Sequence, residues 1–327
     1  MIPIPQYPLY DASIALFGGT VVPYYLDESK DWSMSLKSFQ EAKIDALKLN
    51  PKLDIRALCV INPGNPTGQC LTKESMETII KYCKQENLVL MADEVYQANT
   101  YQENLPFHSF KKVLKSMSAD IANSVELVSF HSISKGMIGE CGRRGGYFEC
   151  VNIEQSVKDL FYKIASVSLC PPVQGQVMME LMVNPPKKGE PSYKLFVEEH
   201  DTIYGITPSN INSLESLKRR AVKLAKAFNA LEGVTCNEAQ GAMYLFPKIS
   251  IPQKALDAAK VEGHAPDSFY AMQLLNATGV VVVPGSGFRQ AAGSWHFRST
   301  FLPSENDMDS FIASIKVFHE SFMKKYR

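Results

Sequence analysis

Residues 55–93 read IRALCVINPGNPTGQCLTKESMETIIKYCKQENLVLMAD, and this stretch decides the fold class. Ile55 to Ile61 is a short apolar run of the kind a buried strand needs. A turn rich in Asn, Pro and Gly follows. Thr72 then stands where a helix N-cap belongs. Met76, Ile79, Ile80 and Cys83 recur at helical spacing on one stripe, and Asn87 is a natural stop. Leu88 to Ala92 is a second apolar run, and Glu126 to Phe130 a third. Continuous apolar strands separated by a helix predict an α/β domain built on a mostly parallel sheet. In such sheets ligands sit beyond the carboxyl ends of the strands, so functional residues are expected just after each apolar run.

Outward from this core the pattern changes. Leu214, Leu217, Ala221, Leu224, Phe228 and Leu231 recur at spacings of three and four, which predicts a long helix from near Asn210 to a stop at Gly233. Beyond it, Gly241–Phe246 and Val280–Val283 read as strands, and an amphipathic helix is expected from about Ser304. The Pro- and Gly-rich stretch 184–191 reads as a surface loop. The expectation is a large domain over 1–208, followed by the long helix and a smaller α+β domain over 209–327. A length of 327 residues suits two domains.

Composition narrows the function classes. Lys plus Arg is 34 and Asp plus Glu is 34, so there is no basic excess for nucleic acid or an anionic membrane surface. No apolar run is long enough to span a bilayer. Seven scattered cysteines do not form a secreted disulfide framework, and a reducing compartment fits best. The cysteines and histidines show no metal-ligand spacing, so no metal is expected.

Four segments carry chemistry. Asn62-Pro-Gly-Asn65-Pro-Thr-Gly68 follows the first strand, and proline after each asparagine holds it extended, so the loop can aim an amide. Read alone it is equally a strand-end turn. Asp93 ends the second strand, with Tyr96 three residues on; a carboxylate buried there needs a cationic partner. Helix capping by Asp93 beside an exposed Tyr96 is the simpler reading of that segment. The third strand runs into His131-Ser132-Ile-Ser134-Lys135-Gly136, then Gly139, Gly142 and Arg143-Arg144-Gly-Gly-Tyr147. An amine in a desolvated pocket becomes a nucleophile, and hydroxyls with an arginine can hold a phosphate. A solvated loop is the commoner fate of a lysine. Last, Arg298 lies in Trp295-His-Phe-Arg-Ser-Thr-Phe301. A buried arginine there either closes an internal salt bridge or forks a substrate carboxylate.

Together and in this order the four segments resemble class I/II aminotransferases of fold type I, which use pyridoxal 5′-phosphate (PLP). The resemblance covers essentially the whole chain and implies the aspartate-aminotransferase-like fold. Ile2-Pro-Ile-Pro-Gln-Tyr-Pro-Leu-Tyr10, Gly139-Glu-Cys-Gly142, Leu169-Cys-Pro-Pro172, Gly189-Glu-Pro-Ser-Tyr193 and Val283-Pro-Gly-Ser-Gly-Phe288 look like the eukaryotic-type alanine aminotransferases within that family.

The resemblance implies roles. Lys135 matches the Schiff-base lysine, which then serves as the acid and base for proton transfer. Asp93 matches the carboxylate under the ring nitrogen. Tyr96 and Asn65 match the pair on the phenolate oxygen, with Asn65 also near substrate, and Tyr7 matches the aromatic that stacks on the ring. Ser132 and Ser134 match phosphate-binding hydroxyls. Arg144 is favoured over Arg143 for the phosphate, because Arg144-Gly-Gly-Tyr147 matches the family stretch. Arg298 matches the arginine that grips the substrate α-carboxylate. Arg289 stands where close relatives usually carry Gly.

The implied reaction is ping-pong transfer of the amino group of L-alanine to 2-oxoglutarate. A different amino donor, or a non-catalytic PLP-binding fold, is the alternative. A homodimer is implied, in the cytoplasm or alternatively the mitochondrial matrix. Family members are longer, and Met1 aligns inside their large domain. The chain is therefore expected to lack part of the phosphate cup and a sheet strand, with weakened PLP affinity and an exposed sheet region.

Overall fold

The computed structural model describes residues 1–135, 139–204 and 213–327. Its strands are β1 (Ile2–Ile4), β2 (Pro23–Tyr25), β3 (Ala57–Ile61), β4 (Val89–Asp93), β5 (Leu127–Ser132), β6 (Gly146–Val151), β7 (Val234–Thr235), β8 (Tyr244–Leu245), β9 (Lys248–Ile249), β10 (Val283–Pro284) and β11 (Phe297–Thr300). Its helices are α1 (Pro8–Leu16), α2 (Leu36–Leu49), α3 (Lys73–Glu86), α4 (Phe110–Ser116), α5 (Ala119–Ala122), α6 (Gln155–Val167), α7 (Val173–Val183), α8 (Tyr193–Tyr204), α9 (Ser213–Asn229), α10 (Gln253–Val261), α11 (Pro266–Thr278) and α12 (Met308–Tyr326).

The chain divides into two compact units. The first holds Met1, Leu47–Pro63 and Cys70–Glu215; the second holds Ile2–Ala46, Gly64–Gln69 and Ser216–Arg327. The expected division at 208/209 lies outside the described residues, as does the expected helix start at Asn210. Within Ile2–Ala46 β1 pairs with β2, and the segment joins the C-terminal one through bonds such as that from the Gln6 amide to the Phe288 carbonyl at 2.8 Å.

The first unit is α/β. Its sheet has the order β3-β4-β5-β6, parallel except for the β5/β6 pair. Leu58, Val60, Leu90, Ala92 and Leu127 are buried within it, as strands covered on both faces require. Helix α3 follows the sequence reading closely. Thr72 Oγ1 accepts from Ser75 N at 3.2 Å, Met76, Ile79, Ile80 and Cys83 are buried, and Asn87 ends the helix at φ 51°. That left-handed residue lets the Asn87 amide turn back onto the last carbonyls. β6 is one of the two edge strands, and its Tyr147 and Phe148 are 44% and 51% exposed.

The second unit is α+β. A three-stranded antiparallel sheet β10-β11-β8 packs with helices α9 to α12. Phe228, Tyr270, Phe297 and Phe322 meet at its centre, with Tyr270 stacked on Phe297 at 5.7 Å. The predicted stripe on α9 is buried at Leu217, Ala221, Leu224 and Phe228, and Gly233 beyond it has φ +68°.

Two expected strands are shorter than their patterns. Gly241–Phe246 yields only Tyr244–Leu245, because Ala242 takes φ 59° and the Gly241 amide bonds the Gly68 carbonyl. Val280–Val283 pairs only from Val283, where β11 first comes alongside. The last helix begins at Met308 rather than Ser304, since Ser304 closes the preceding turn by accepting the Asp307 amide at 3.3 Å.

Candidate active site

The first unit gathers five predicted residues around the carboxyl ends of β4 and β5. Asp93 closes β4, and its carbonyl accepts the Asn62 amide at 2.9 Å. The parallel register pairs Asp93 with Phe130. Alternation along a strand then returns Ser132 to the face Phe130 occupies. Ser132 Oγ accepts from Ser134 N at 3.0 Å and donates to the Gly145 carbonyl at 3.3 Å. Lys135 follows, half-buried. Gly136, next in the motif, lies outside the described residues.

Antiparallel pairing of Ser132 with Gly146 carries Arg144 to the same corner. Arg144 has φ 56°, and its Nη1 donates to the Cys141 carbonyl at 3.0 Å. Arg143 instead gives its Nη1 to Gln174 Oε1 at 2.7 Å and lies 3.9 Å from the Glu140 carboxylate. The corner is close-packed backbone: a Cβ on Gly145 would lie 2.7 Å from the Gly175 carbonyl, and one on Gly175 would lie 2.7 Å from that of Arg143. A cavity of about 710 Å³ opens beside it, lined by Arg144, Tyr147, Phe148, Gln176 and Met179.

Tyr96 is buried, so the reading as an exposed side chain does not hold. Between it and Asp93 lies a residue the sequence reading passed over. Glu94 is 6% exposed, and its Oε1 accepts the Phe110 amide at the start of α4 at 2.7 Å. Burial pushes its carboxyl up to about 7; the Phe110 bond opposes this and the charge on Asp93 adds to it. A glutamate next to an aspartate is too common for sequence alone to mark it.

The second unit holds Tyr7, Asn65 and Arg298. The Gly64–Gln69 part of the loop after β3, which belongs to this unit, is closed by backbone bonds from Gly64 N to Gln69 O at 2.9 Å and from Gly68 N to Gly64 O at 3.0 Å. Gly68 has φ +74°, and a Cβ there would meet the Tyr244 carbonyl at 3.1 Å. The two asparagines part company. In the first unit, Asn62 Oδ1 accepts the Leu71 amide at 3.0 Å and is structural. In the second, Asn65 is buried, and its Oδ1 accepts from Arg298 Nη1 at 3.0 Å.

Arg298 is held by aromatic faces. Its guanidinium carbon lies 4.2 Å from the Tyr244 ring centre and 4.8 Å from that of Phe288. Such stacking favours a cation and fixes the plane of its fork. Among the described residues no carboxylate pairs with Arg298, and its buried Nε has no hydrogen-bond partner. The internal salt bridge that sequence left open is absent there. Tyr244 and Phe288 were not foreseen, because only folding sets them on the arginine.

Tyr7 precedes Pro8 at the start of α1 and is exposed, edge-on to Tyr10 at 6.3 Å. Arg289 has φ 55° and ψ 151° and reaches Asp11 at 2.7 Å. Among the described residues no cluster of His, Cys, Asp or Glu could hold a metal ion, and no helix is long and apolar enough to cross a membrane.

Comparison with known proteins extends this picture. The profile of the aminotransferase class I and II family matches residues 1–315. A Dictyostelium discoideum protein named probable alanine aminotransferase, mitochondrial, is 53% identical over 330 residues, covering 100% of this chain and 59% of its own length. Glutamate–glyoxylate aminotransferase 2 of Arabidopsis thaliana is 48% identical over 326 residues, covering 100% of this chain and 65% of its own. Among solved structures, an Escherichia coli aminotransferase matches with a TM-score of 0.74 at 26% identity, over 98% of this chain and 69% of that one. The chain therefore spans 59% to 65% of the length of these curated relatives.

Proposed function

Since the chain belongs to the aminotransferase class I and II family, we propose that it serves a PLP-dependent aminotransferase that converts L-alanine and 2-oxoglutarate to pyruvate and L-glutamate. The donor set of the first unit fits PLP: an amine for its aldehyde, a carboxylate for its ring nitrogen, and hydroxyls with a guanidinium for its phosphate. These are Lys135, Asp93, and Ser132 and Ser134 with Arg144, all near consecutive strand ends. PLP, when bound, supplies the electron sink that makes the substrate Cα proton removable.

The chain's own groups do the rest. Lys135 holds the cofactor and then carries the proton to and from substrate Cα. Asp93 keeps the ring nitrogen protonated. Tyr96 and Asn65 would donate to the ring oxygen, and Tyr7 would supply an aromatic face for the ring. Arg144, whose Nη1 meets only the Cys141 main-chain carbonyl and thiol among the described residues, is the proposed phosphate arginine, whereas Arg143 is engaged with the Gln174 side chain. Arg298 takes the substrate α-carboxylate in a two-bond fork.

One observation carries this reading. Among the described residues Arg298 is a half-buried arginine without an acid, its Nε unpartnered, clamped between two rings. A guanidinium desolvated in this way needs an anion, and a small carboxylate supplies the matching pair of oxygens. Amino and 2-oxo acids are thus the proposed substrates, nucleic acid and membrane have no part, and the assembly is a homodimer. The proposed compartment is the cytoplasm, with the mitochondrial matrix as the alternative.

A coupled assay across alanine, aspartate, tyrosine and kynurenine tests the donor, and preference for any but alanine overturns it. The Arabidopsis relative, named for glutamate and glyoxylate, favours one second reading, so glyoxylate joins the panel as acceptor. Reconstitution with PLP should give protein-bound visible absorbance that Lys135→Ala abolishes. An unchanged spectrum in that variant would remove Lys135 from its role.

A further inference from the structure

Behind the Arg298 clamp the second unit contains a buried polar chain that the proposed reaction does not use. Asp267 is 1% exposed. Its Oδ2 accepts from Ser286 N at 2.6 Å and from Gln290 Nε2 at 2.8 Å, and its Oδ1 from Ser268 N at 2.9 Å. Gln290 Oε1 lies 2.9 Å from His296 Nδ1, and His296 Nε2 lies 3.0 Å from Glu28 Oε1. His296 is 2% exposed, stacked flat on Phe246 at 4.8 Å and edge-on to Trp32 at 5.7 Å.

Hydrogen-bond chemistry gives this chain one direction. A carboxylate only accepts, so Gln290 must turn its NH₂ to Asp267 and its carbonyl to His296. A carbonyl oxygen also only accepts, so His296 Nδ1 carries a hydrogen. Its Nε2 then faces the Glu28 carboxylate, and a bond there requires a second proton between them. Glu28 Oε2 lies 3.8 Å from Lys248 Nζ. Without the proton, a nitrogen lone pair and a carboxylate oxygen would face each other at 3.0 Å.

The far end of the chain meets the substrate-binding apparatus. Ser286 and Phe288 belong to the turn Gly285–Phe288. That turn is held by Asp267 at Ser286 N and by the His296 carbonyl, which accepts from Gly285 N at 2.7 Å. Gly285 is required, since a Cβ there would lie 2.5 Å from Gln290 Oε1 and 2.8 Å from the His296 carbonyl. The turn presents the Phe288 ring both to the Arg298 guanidinium at 4.8 Å and edge-on to Phe246 at 5.8 Å.

We propose that Glu28, His296, Gln290 and Asp267 form a one-way relay that stores a proton on His296 and thereby positions Phe288 against the carboxylate fork of Arg298. His296 is then a positioning residue for substrate. The proposal rests on the reading of Arg298 as the carboxylate site. The charged and titratable groups that face the relay are Glu28, Lys248 from β9, Asp267 from α11, and Cys236, whose thiol burial pushes up to about 12.

The test uses the PLP-loaded protein with ¹⁵N-labelled histidine. Both His296 ring nitrogens should show protonated shifts at neutral pH, the signals being assigned by their loss in His296→Gln. Glu28→Gln preserves shape but offers an amide N–H to Nε2, so that nitrogen should turn unprotonated while the relay stays closed. Calorimetric Kd for 2-oxoglutarate should weaken about fivefold to tenfold in His296→Leu, the effect of losing the buried bond from His296 to Gln290, whose NH₂ orders the Asp267 carboxylate that holds the turn. An unprotonated Nε2 in the unsubstituted protein overturns the relay. An unchanged Kd in His296→Leu overturns the positioning role. Intact relay signals and Kd effects without alanine transamination would count against the proposed reaction and support the relay.

Discussion

Replacing Glu94 by glutamine should flatten the pH dependence of the first unit's stability. Glu94 is buried behind the end of β4, and burial pushes its carboxyl from 4.5 up to about 7. A raised carboxyl favours the protonated acid in the folded state. Below pH 4.5 both folded and unfolded chains hold the proton, and the residue costs nothing. As pH rises through about 7 the unfolded chain has already ionised, and the folded chain must ionise in a buried site. Stability is therefore full at low pH and lost as pH climbs.

Each pH unit between the two values is worth about 1.4 kcal/mol, so the full loss by pH 8 is about 3 kcal/mol. That is a large share of a domain's usual margin of roughly 5–15 kcal/mol. Glutamine keeps an oxygen for the Phe110 amide, and its NH₂ can donate to the Ser129 hydroxyl beside it. The assay is urea unfolding at pH 5 and pH 8, together with hydrogen exchange of the Phe110 amide as a local measure. At pH 5 the two proteins should differ little. At pH 8 Glu94→Gln should be the more stable by about 3 kcal/mol. Other titrating groups cancel in the difference, so parallel stability curves would refute the assignment of a buried, late-titrating carboxyl.

Other substitutions probe other links of the argument. Arg289→Gly should raise stability by about 1 kcal/mol: a non-glycine at φ 55° and ψ 151° is strained, and its half-exposed ion pair with Asp11 offsets little. Chemical denaturation reads this directly, and a loss of stability would mean the ion pair dominates. His319 lies buried between the Tyr270 hydroxyl at 3.0 Å and the Glu232 carbonyl at 2.8 Å, and burial holds its imidazole below the ordinary range. Stability from this group is full above pH 6.5 and is lost as pH falls; thermal midpoints from pH 7 to pH 5 should fall less steeply in His319→Gln. Thr72→Ala removes the cap on the Ser75 amide and should cost about 1 kcal/mol, with hydrogen exchange at the start of α3 accelerated.

The elements read most surely from sequence were those whose information is local. In α3 the cap, the buried stripe and the left-handed stop each depend on residues a few positions apart. The end of β4 was legible for the same reason, since Asp93 breaks the apolar run there, whereas β5 runs on through His131 and Ser132, two residues past the apolar run that ends at Phe130. The second unit was less legible. Ala242 bends the chain out of an apolar run because the Gly241 amide is claimed by Gly68, more than 170 positions earlier. Nor does anything in the sequence tie Ile2–Ala46 to the C-terminal segment. That grouping depends on bonds such as Gln6 to Phe288.

By itself the sequence determined the family and the α/β class of the first unit, and it supplied the residues proposed to meet a cofactor and a carboxylate. Those follow from residue type, order and short-range spacing. Only the tertiary structure decided how the groups are supported. It split Asn62 from Asn65, one holding a loop and the other an arginine. It engaged Arg143 with Gln174 and left Arg144 on a backbone carbonyl. It also buried Glu94, clamped Arg298 between Tyr244 and Phe288, and ran a relay from Glu28 to Asp267 behind them. The physical reason is the same in each case. Burial and hydrogen-bond polarity are set by the atoms that surround a side chain, and here those atoms come from segments far apart in the chain.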